Sequence, residues 1–273
     1  MKMRVINMLA NWLGQWLSRY LAARHHVHST AAPADLRALR ACLQPGDVLL
    51  VEGQTRVSAA IKYLTQSTWS HTALFVGDRL GRRDVHGDAL CFVEVDIVEG
   101  VRAVAISEFS GLHVRICRPV GLTYAERDGV LGHAITRIGH TYDLKNVVDL
   151  VRYLLPTPPV PQRWRRRLLA LGSGDPTRAI CSTLIAQAFE SVRYPVLPDI
   201  EARPAGDPLC PDCLQEILHV RHYSLFVPRD FDVSPYFEVV KPTLAMGFDH
   251  HALRWHDVST VNPLSLPASE VLA

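Results

Sequence analysis

Long apolar runs are missing from this chain of 273 residues. No stretch of about 18 uncharged apolar residues occurs, which argues against a membrane-spanning helix. An excess of charge is also missing, because 29 basic and 27 acidic residues leave a formal net charge of +2. That balance gives no electrostatic reason to expect a nucleic-acid partner. The chain also lacks an internal repeat, a zinc-finger spacing of the usual length and an RNA-binding signature.

Cysteines are few as well, since six in a chain of this length do not form the framework of a disulfide-rich protein. Cys210 and Cys213 make a Cys-x-x-Cys pair that is followed by His219 and His222. The interval between the cysteines and the histidines is far shorter than in common zinc fingers. A zinc site, a disulfide and two ordinary thiols therefore all stay open for this pair.

The C-terminal segment, residues 243–273, lacks a clear hydrophobic period and is predicted to be a loose tail. Asp249, His250, His251 and His256 offer side chains that ligate metals, but no regular element is predicted around them. We therefore expect no metal in this tail and no cofactor for the protein, with zinc at Cys210 and Cys213 the one alternative that stays open.

The N-terminal extension, residues 1–39, contains an amphipathic helical pattern over residues 5–21 with basic flanks. Such a helix can pack on its own domain, lie in a membrane interface or belong to a signal peptide. Residues 163–167 add four arginines around a tryptophan, a pattern that is most often a solvated face but also suits anionic lipid. We expect a cytoplasmic protein or one peripheral to the membrane, and secretion stays open.

Residues 40–242 are predicted to form one α+β domain. Short apolar segments separated by turns predict strands over residues 48–51, 71–76, 89–97, 100–106 and 113–120. Because turns rather than long helices connect them, the sheet should be mostly antiparallel.

The second half of this domain is predicted to be more helical. A helix should begin after Thr123, with Glu126 placed for a capping box. A second helix is predicted from Asp143 to Leu155, and a third over residues 178–192. The stretch that follows is rich in proline and is predicted to be a loop.

Cys181 and His71 are the candidates for catalytic chemistry. Cys181 stands at the start of its predicted helix, where unpaired backbone N–H groups and the helix dipole favour a thiolate. A thiolate nucleophile needs a proton partner, and His71 at the mouth of a strand can supply it. If the next strand pairs antiparallel, Glu94 can reach His71 and orient its ring. A structural role for both a buried cysteine and a strand-end histidine is the competing interpretation.

Several segments, in this order, resemble one family: "LQPGDVLLV", "AAIKYLTQSTWSHTALFVGD", "FVEVDIVEGVRAVAISEF", "GHTYD", "AICSTLIAQAFE" and "VPRDFDVSPYFEVV". They resemble the circularly permuted NlpC/P60 cysteine hydrolases, with a papain-like fold, and within them the YiiX/YebB-like or lipo-like branch. The resemblance spans residues 43–241. As in that permuted branch, the histidine precedes the cysteine in the chain.

The resemblance implies a nucleophile at Cys181, a base at His71 and an orienting carboxylate at Glu94, for which Asp96 is a rival. It also implies oxyanion or substrate contacts near Tyr142, with Ser182 as a further candidate. The expected reaction is amidase-like or peptidase-like acyl chemistry on cell-wall-type amides. A lipid esterase or acyltransferase and a non-catalytic binding module are the alternatives. The sequence indicates neither the substrate nor an oligomeric state.

Overall fold

The computed structural model describes residues 33–96, 99–140, 180–204 and 214–252. Several predictions lie outside the described residues: the N-terminal helix, the helix from Asp143, the arginine cluster at residues 163–167, Tyr142, and the Cys210/Cys213 pair.

Six strands of the described residues form one sheet: β1 (Val48–Glu52), β2 (His71–Phe75), β3 (Leu90–Asp96), β4 (Gly100–Ala105), β5 (His113–Pro119) and β8 (Phe237–Val240). Their order across the sheet is β4-β3-β2-β1-β5-β8, and every neighbouring pair is antiparallel. A separate hairpin pairs β6 (Asp199–Pro204) with β7 (Leu214–His219).

Helices cover the sheet. They are α1 (Leu36–Cys42), α2 (Arg56–Thr65), α3 (Tyr124–Ile135), α4 (Ile180–Glu190), α5 (Pro228–Val233) and α6 (Pro242–Ala245). Short 3₁₀ turns lie at Gly77–Leu80, Ile106–Phe109, Tyr223–Leu225 and His250–Ala252. No helix in the described part of the chain has both the length and the apolarity needed to cross a bilayer.

The sheet is buried on both faces, so its central strands carry apolar residues at consecutive positions. On one face, Leu50, Leu74 and Val93 join a core with α4 and α3. On the other face, Leu49 and Phe92 join a second core under α1 and the 3₁₀ turn Ile106–Phe109. Because neighbouring residues of a strand point to opposite faces, each strand contributes to both cores.

Asp47 fixes the entry to β1 from a buried position, with 1% of its surface exposed. Its carboxylate accepts from the Gln44 backbone N–H at 2.8 Å and from Arg118 Nε at 2.9 Å. Arg118 also donates to the carbonyl of Cys42 at 2.6 Å, which joins β5 to the end of α1. Burial raises the pKa of Asp47, and the hydrogen bonds from Arg118 and Gln44 only partly offset that effect.

The α+β class with an antiparallel sheet is confirmed. The capping box is also confirmed, since Thr123 Oγ1 accepts from the Glu126 N–H and Glu126 accepts from the Thr123 N–H. The prediction of a loop in the proline-rich stretch was wrong, because residues 199–204 pair with residues 214–219 as a hairpin. The alternation of charged and apolar residues in "DIEAR" favours an extended strand there, and Pro204 stands at its end, where a missing N–H costs little.

Candidate active site

Cys181 occupies the first turn of α4, one residue after the helix begins at Ile180. The α4 helix packs across β2 and β3 of the sheet, which brings its first turn to the N-terminal end of β2. The thiol is buried there, with 6% of the residue exposed. In the first turn of the helix, the sulfur lies near the positive end of the helix dipole.

His71 is the first residue of β2, and its ring contacts two groups. Nε2 lies 2.8 Å from Glu94 Oε2. The Cys181 thiol lies close enough to the same ring for each group to shift the pKa of the other through charge and hydrogen bonding. Since Glu94 occupies Nε2, Nδ1 is the nitrogen that is left for the sulfur. The imidazole therefore bridges the carboxylate and the thiol.

Glu94 reaches His71 diagonally across the β2–β3 ladder, because its direct partner in the register is Ala73. Its side chain is only 4% exposed. Asp96, the rival for this role, accepts from the Glu99 backbone N–H at 2.9 Å in the turn that follows β3. The structure therefore places Glu94 rather than Asp96 on the histidine ring.

Arg102 is a part of this cluster that the sequence reasoning missed. It lies opposite Glu94 in the β3–β4 register, and its Nε donates to Glu94 Oε1 at 2.9 Å. The same guanidinium contacts Glu99 at 3.3 Å and Glu108 at 3.2 Å. A hairpin with Asp96 opposite Gly100 would have predicted this pairing, because it sets Glu94 opposite Arg102.

The charges in the cluster support each other. Burial alone would raise the pKa of Cys181, but the attraction and hydrogen bond of His71 outweigh burial and lower it below its usual value. Burial alone would lower the pKa of His71, yet the negative charges of Glu94 and Cys181 raise it well above its usual value. Both directions favour a thiolate–imidazolium pair.

Glu94 stays ionised in this setting despite its burial. Burial would raise its pKa, but His71 and Arg102 reverse the effect and the pKa is lowered. A buried carboxylate with a cation on each oxygen is a fixed negative charge behind the imidazole.

Ser182 follows Cys181 in α4, but its hydroxyl donates to the Phe226 carbonyl at 2.6 Å and the residue is fully buried. This hydrogen bond ties α4 to the residue that follows the 3₁₀ turn Tyr223–Leu225. An oxyanion contact from Ser182 would therefore have to come from its backbone. Tyr142, the other residue expected near an oxyanion, lies outside the described residues.

Among the described residues, one group brings metal-ligating atoms together. Asp249, His250 and His251 place one ligand atom each within 4.8 Å of one another, and all three are exposed. Asp249 also accepts from the backbone N–H of His251 at 2.9 Å. This group belongs to the segment predicted as a tail and lies outside the cysteine cluster.

The comparison with protein-family models finds no match. Nor does any curated protein match the chain. Solved structures do match, among them the crystal structure of the metalloprotein YiiX from Escherichia coli O157:H7, with 14% identity and a TM-score of 0.39. That alignment covers 72% of this chain and 96% of the other.

Proposed function

We propose that this protein is a thiol-dependent hydrolase or acyltransferase that forms an acyl-enzyme on Cys181. The observation that carries the proposal is the continuous chain from the Cys181 thiol through the His71 ring to the Glu94 carboxylate. A nucleophile, a base and a group that orients the base are the three parts of nucleophilic acyl transfer.

In the first half of the reaction, the Cys181 thiolate attacks a carbonyl carbon and forms a C–S bond, while the carbonyl electron pair moves onto oxygen. The backbone N–H of Cys181, in the first turn of α4, is the expected donor to that oxyanion. When the tetrahedral intermediate collapses, the His71 imidazolium gives its proton to the leaving amine or alcohol.

In the second half, neutral His71 takes a proton from water or from another acceptor, which attacks the thioester carbonyl. The C–S bond then breaks and returns the electron pair to sulfur. Water as the acceptor gives hydrolysis, and an alcohol or amine gives acyl transfer. Glu94 holds the ring through both halves and stabilises its positive charge.

The resemblance to the permuted NlpC/P60 cysteine hydrolases, with a papain-like fold, favours an amidase or peptidase acting on cell-wall-type or related amides. The lipid alternative, an esterase or acyltransferase at a membrane surface, rests on the sequences of residues 5–21 and 163–167. A binding module that has kept the fold without catalysis would have no need for a buried carboxylate on the histidine ring.

Activity-based probes test the proposal and separate its branches. The full chain is incubated with matched acyl-amide and acyl-ester probes, and the labelled residue is mapped by mass spectrometry. We expect an acyl adduct on Cys181 that disappears in Cys181→Ala and slows strongly in His71→Gln. Faster labelling by the amide supports the amidase branch, and faster labelling by the ester supports the lipid branch.

Cys42→Ala is the matched control, because it removes a cysteine outside the cluster and should leave labelling unchanged. Absence of any adduct on Cys181 with both probes, in a folded protein, would reject the catalytic proposal and leave the binding module.

A further inference from the structure

Thr72, the neighbour of His71 in β2, is a hydroxyl in an aliphatic setting. Its cross-strand partner in β1 is Leu50, and the next residue of β2 on the same face is Leu74. Both leucines belong to the core under α4. The side chain of Thr72 is fully buried among them.

Among the described residues, the hydroxyl of Thr72 has no hydrogen-bond partner at a normal distance and angle. A buried hydroxyl without a partner is unfavourable, because it has lost its water without a replacement. Valine has nearly the same shape and suits a strand equally well, so packing alone does not explain a threonine here.

Cys181 lies in the same core as Leu50 and Leu74, where α4 packs against β2, so the hydroxyl is on the face of the sheet that carries the thiol. The side chain and the backbone N–H of Thr72 both act to lower the pKa of that thiol. A neutral thiol is a weak hydrogen-bond acceptor, whereas a thiolate is a strong one. The hydroxyl therefore gains a full partner when the sulfur carries its negative charge.

We propose that the hydroxyl and backbone N–H of Thr72 form a donor pair that stabilises the Cys181 thiolate before attack and again when it leaves the acyl-enzyme. The inference rests on the proposed function, since it assigns a task within the same reaction. His71 supplies the positive charge and the proton, and Thr72, the next residue of β2, supplies two uncharged hydrogen-bond donors. The thiolate is then stabilised by three groups at the N-terminal end of β2: the His71 ring, the Thr72 hydroxyl and the Thr72 backbone N–H.

The test is the pH dependence of Cys181 alkylation by iodoacetamide, followed by mass spectrometry on the full chain from acid to alkaline pH. Thr72→Val and Thr72→Ala remove the hydroxyl, and Thr72→Ser keeps it. We expect both hydroxyl-free variants to react roughly tenfold more slowly at neutral pH, with the profile moved to higher pH and an unchanged alkaline plateau. Thr72→Ser should stay close to the parent profile.

Thr65→Val is the matched control, because the Thr65 hydroxyl donates to the Ile61 carbonyl at the end of α2 and is not among the groups that shift the pKa of the thiol. Its alkylation profile should not move. At a pH low enough to keep Cys181 a neutral thiol, the melting temperature of Thr72→Val should be equal to or above that of the parent, since the hydroxyl that has been removed has no full partner there. A merely structural threonine would lower stability without moving the pH profile.

Three results separate the two proposals. A shifted profile in Thr72→Val and Thr72→Ala, restored in Thr72→Ser, supports the donor pair. Unshifted profiles in both hydroxyl-free variants, with a reactive Cys181 in the parent, overturn the role of Thr72 and leave the proposed function standing. A parent Cys181 that titrates like an ordinary thiol overturns both.

Discussion

Arg102 lies opposite Glu94 across the β3–β4 ladder and binds one of its carboxylate oxygens, while His71 binds the other. Each oxygen of a nearly buried carboxylate thus has its own cation. Two fixed contacts leave the carboxylate no freedom to rotate, so the imidazole is held in one orientation toward the sulfur. Within the proposed function, Arg102 is a positioning residue that acts through Glu94.

Arg102→Met should slow Cys181 labelling by acyl probes roughly tenfold while leaving the affinity for the probe unchanged, because Glu94 loses its orienting contact. The free energy of unfolding should fall by about 2 kcal/mol, since a buried carboxylate loses a charged donor. Probe kinetics and urea denaturation measure the two effects. Arg79→Met, which removes the exposed ion pair with Asp128, is the control and should change neither. Equal kinetics in the two variants would contradict a positioning role.

Glu94→Gln should slow acyl-probe labelling roughly a hundredfold or more, because a neutral amide cannot stabilise the imidazolium of His71. Asp96→Asn is the matched control, as Asp96 lies two residues away and binds the Glu99 backbone instead. It should keep labelling within about twofold. If the two variants exchanged these outcomes, Asp96 would be the orienting carboxylate.

The rate of acyl-probe labelling should follow a bell-shaped pH profile. On the acid side the rate falls as pH drops through the lowered pKa of Cys181, because the thiolate is protonated. On the alkaline side it falls as pH rises through the raised pKa of His71, because the imidazolium loses the proton that the leaving group needs. Glu94→Gln should bring the alkaline limb to lower pH, since it removes the charge that raises the pKa of His71. An alkaline limb that does not move would contradict the coupling between Glu94 and His71.

Cys181 should be the first of the four described cysteines to react with iodoacetamide at neutral pH. Burial raises the pKa of Cys91, and it raises the pKa of Cys117 strongly, so both remain neutral thiols. Peptide mapping after short exposure gives the order of reaction. Modification of Cys42 or Cys117 ahead of an inert Cys181 would remove the assigned nucleophile.

Arg118→Met should destabilise the fold by about 3 kcal/mol near neutral pH, because it leaves Asp47 buried without its cation. Burial already raises the pKa of Asp47, and this change raises it further. The folded state then binds a proton more tightly than the unfolded state, so stability falls as pH rises through the folded pKa and recovers at lower pH. Denaturation at several pH values measures how the free energy of unfolding changes with pH. Adding Asp47→Asn to Arg118→Met should abolish that pH dependence. A deficit independent of pH would mean that lost packing, not charge, is responsible.

Local rules in the sequence predicted much of this fold. The alternation in "CFVEVD" and the Thr123–Glu126 capping box act over a few residues, so they can be read without knowing the rest of the chain. The same holds for the start of α4, which places Cys181 in a first helical turn, and for the strand that begins at His71. These positions are consequences of propensity, capping and period, and they were sufficient to name the cysteine, the histidine and Glu94.

Only the tertiary structure decided which groups meet. The packing of α4 across the sheet brings Cys181 to β2, and strand register sets Glu94 on the ring and Arg102 on Glu94. The hydroxyl of Thr72 can lower the pKa of the thiol only because packing brings Cys181, from a helix distant in the sequence, next to β2. Contacts between distant segments depend on how whole elements pack, and a shift of one residue in register would turn Glu94 to the opposite face. The sequence by itself therefore determined the candidate side chains of the site, and packing determined the partners that set their charge.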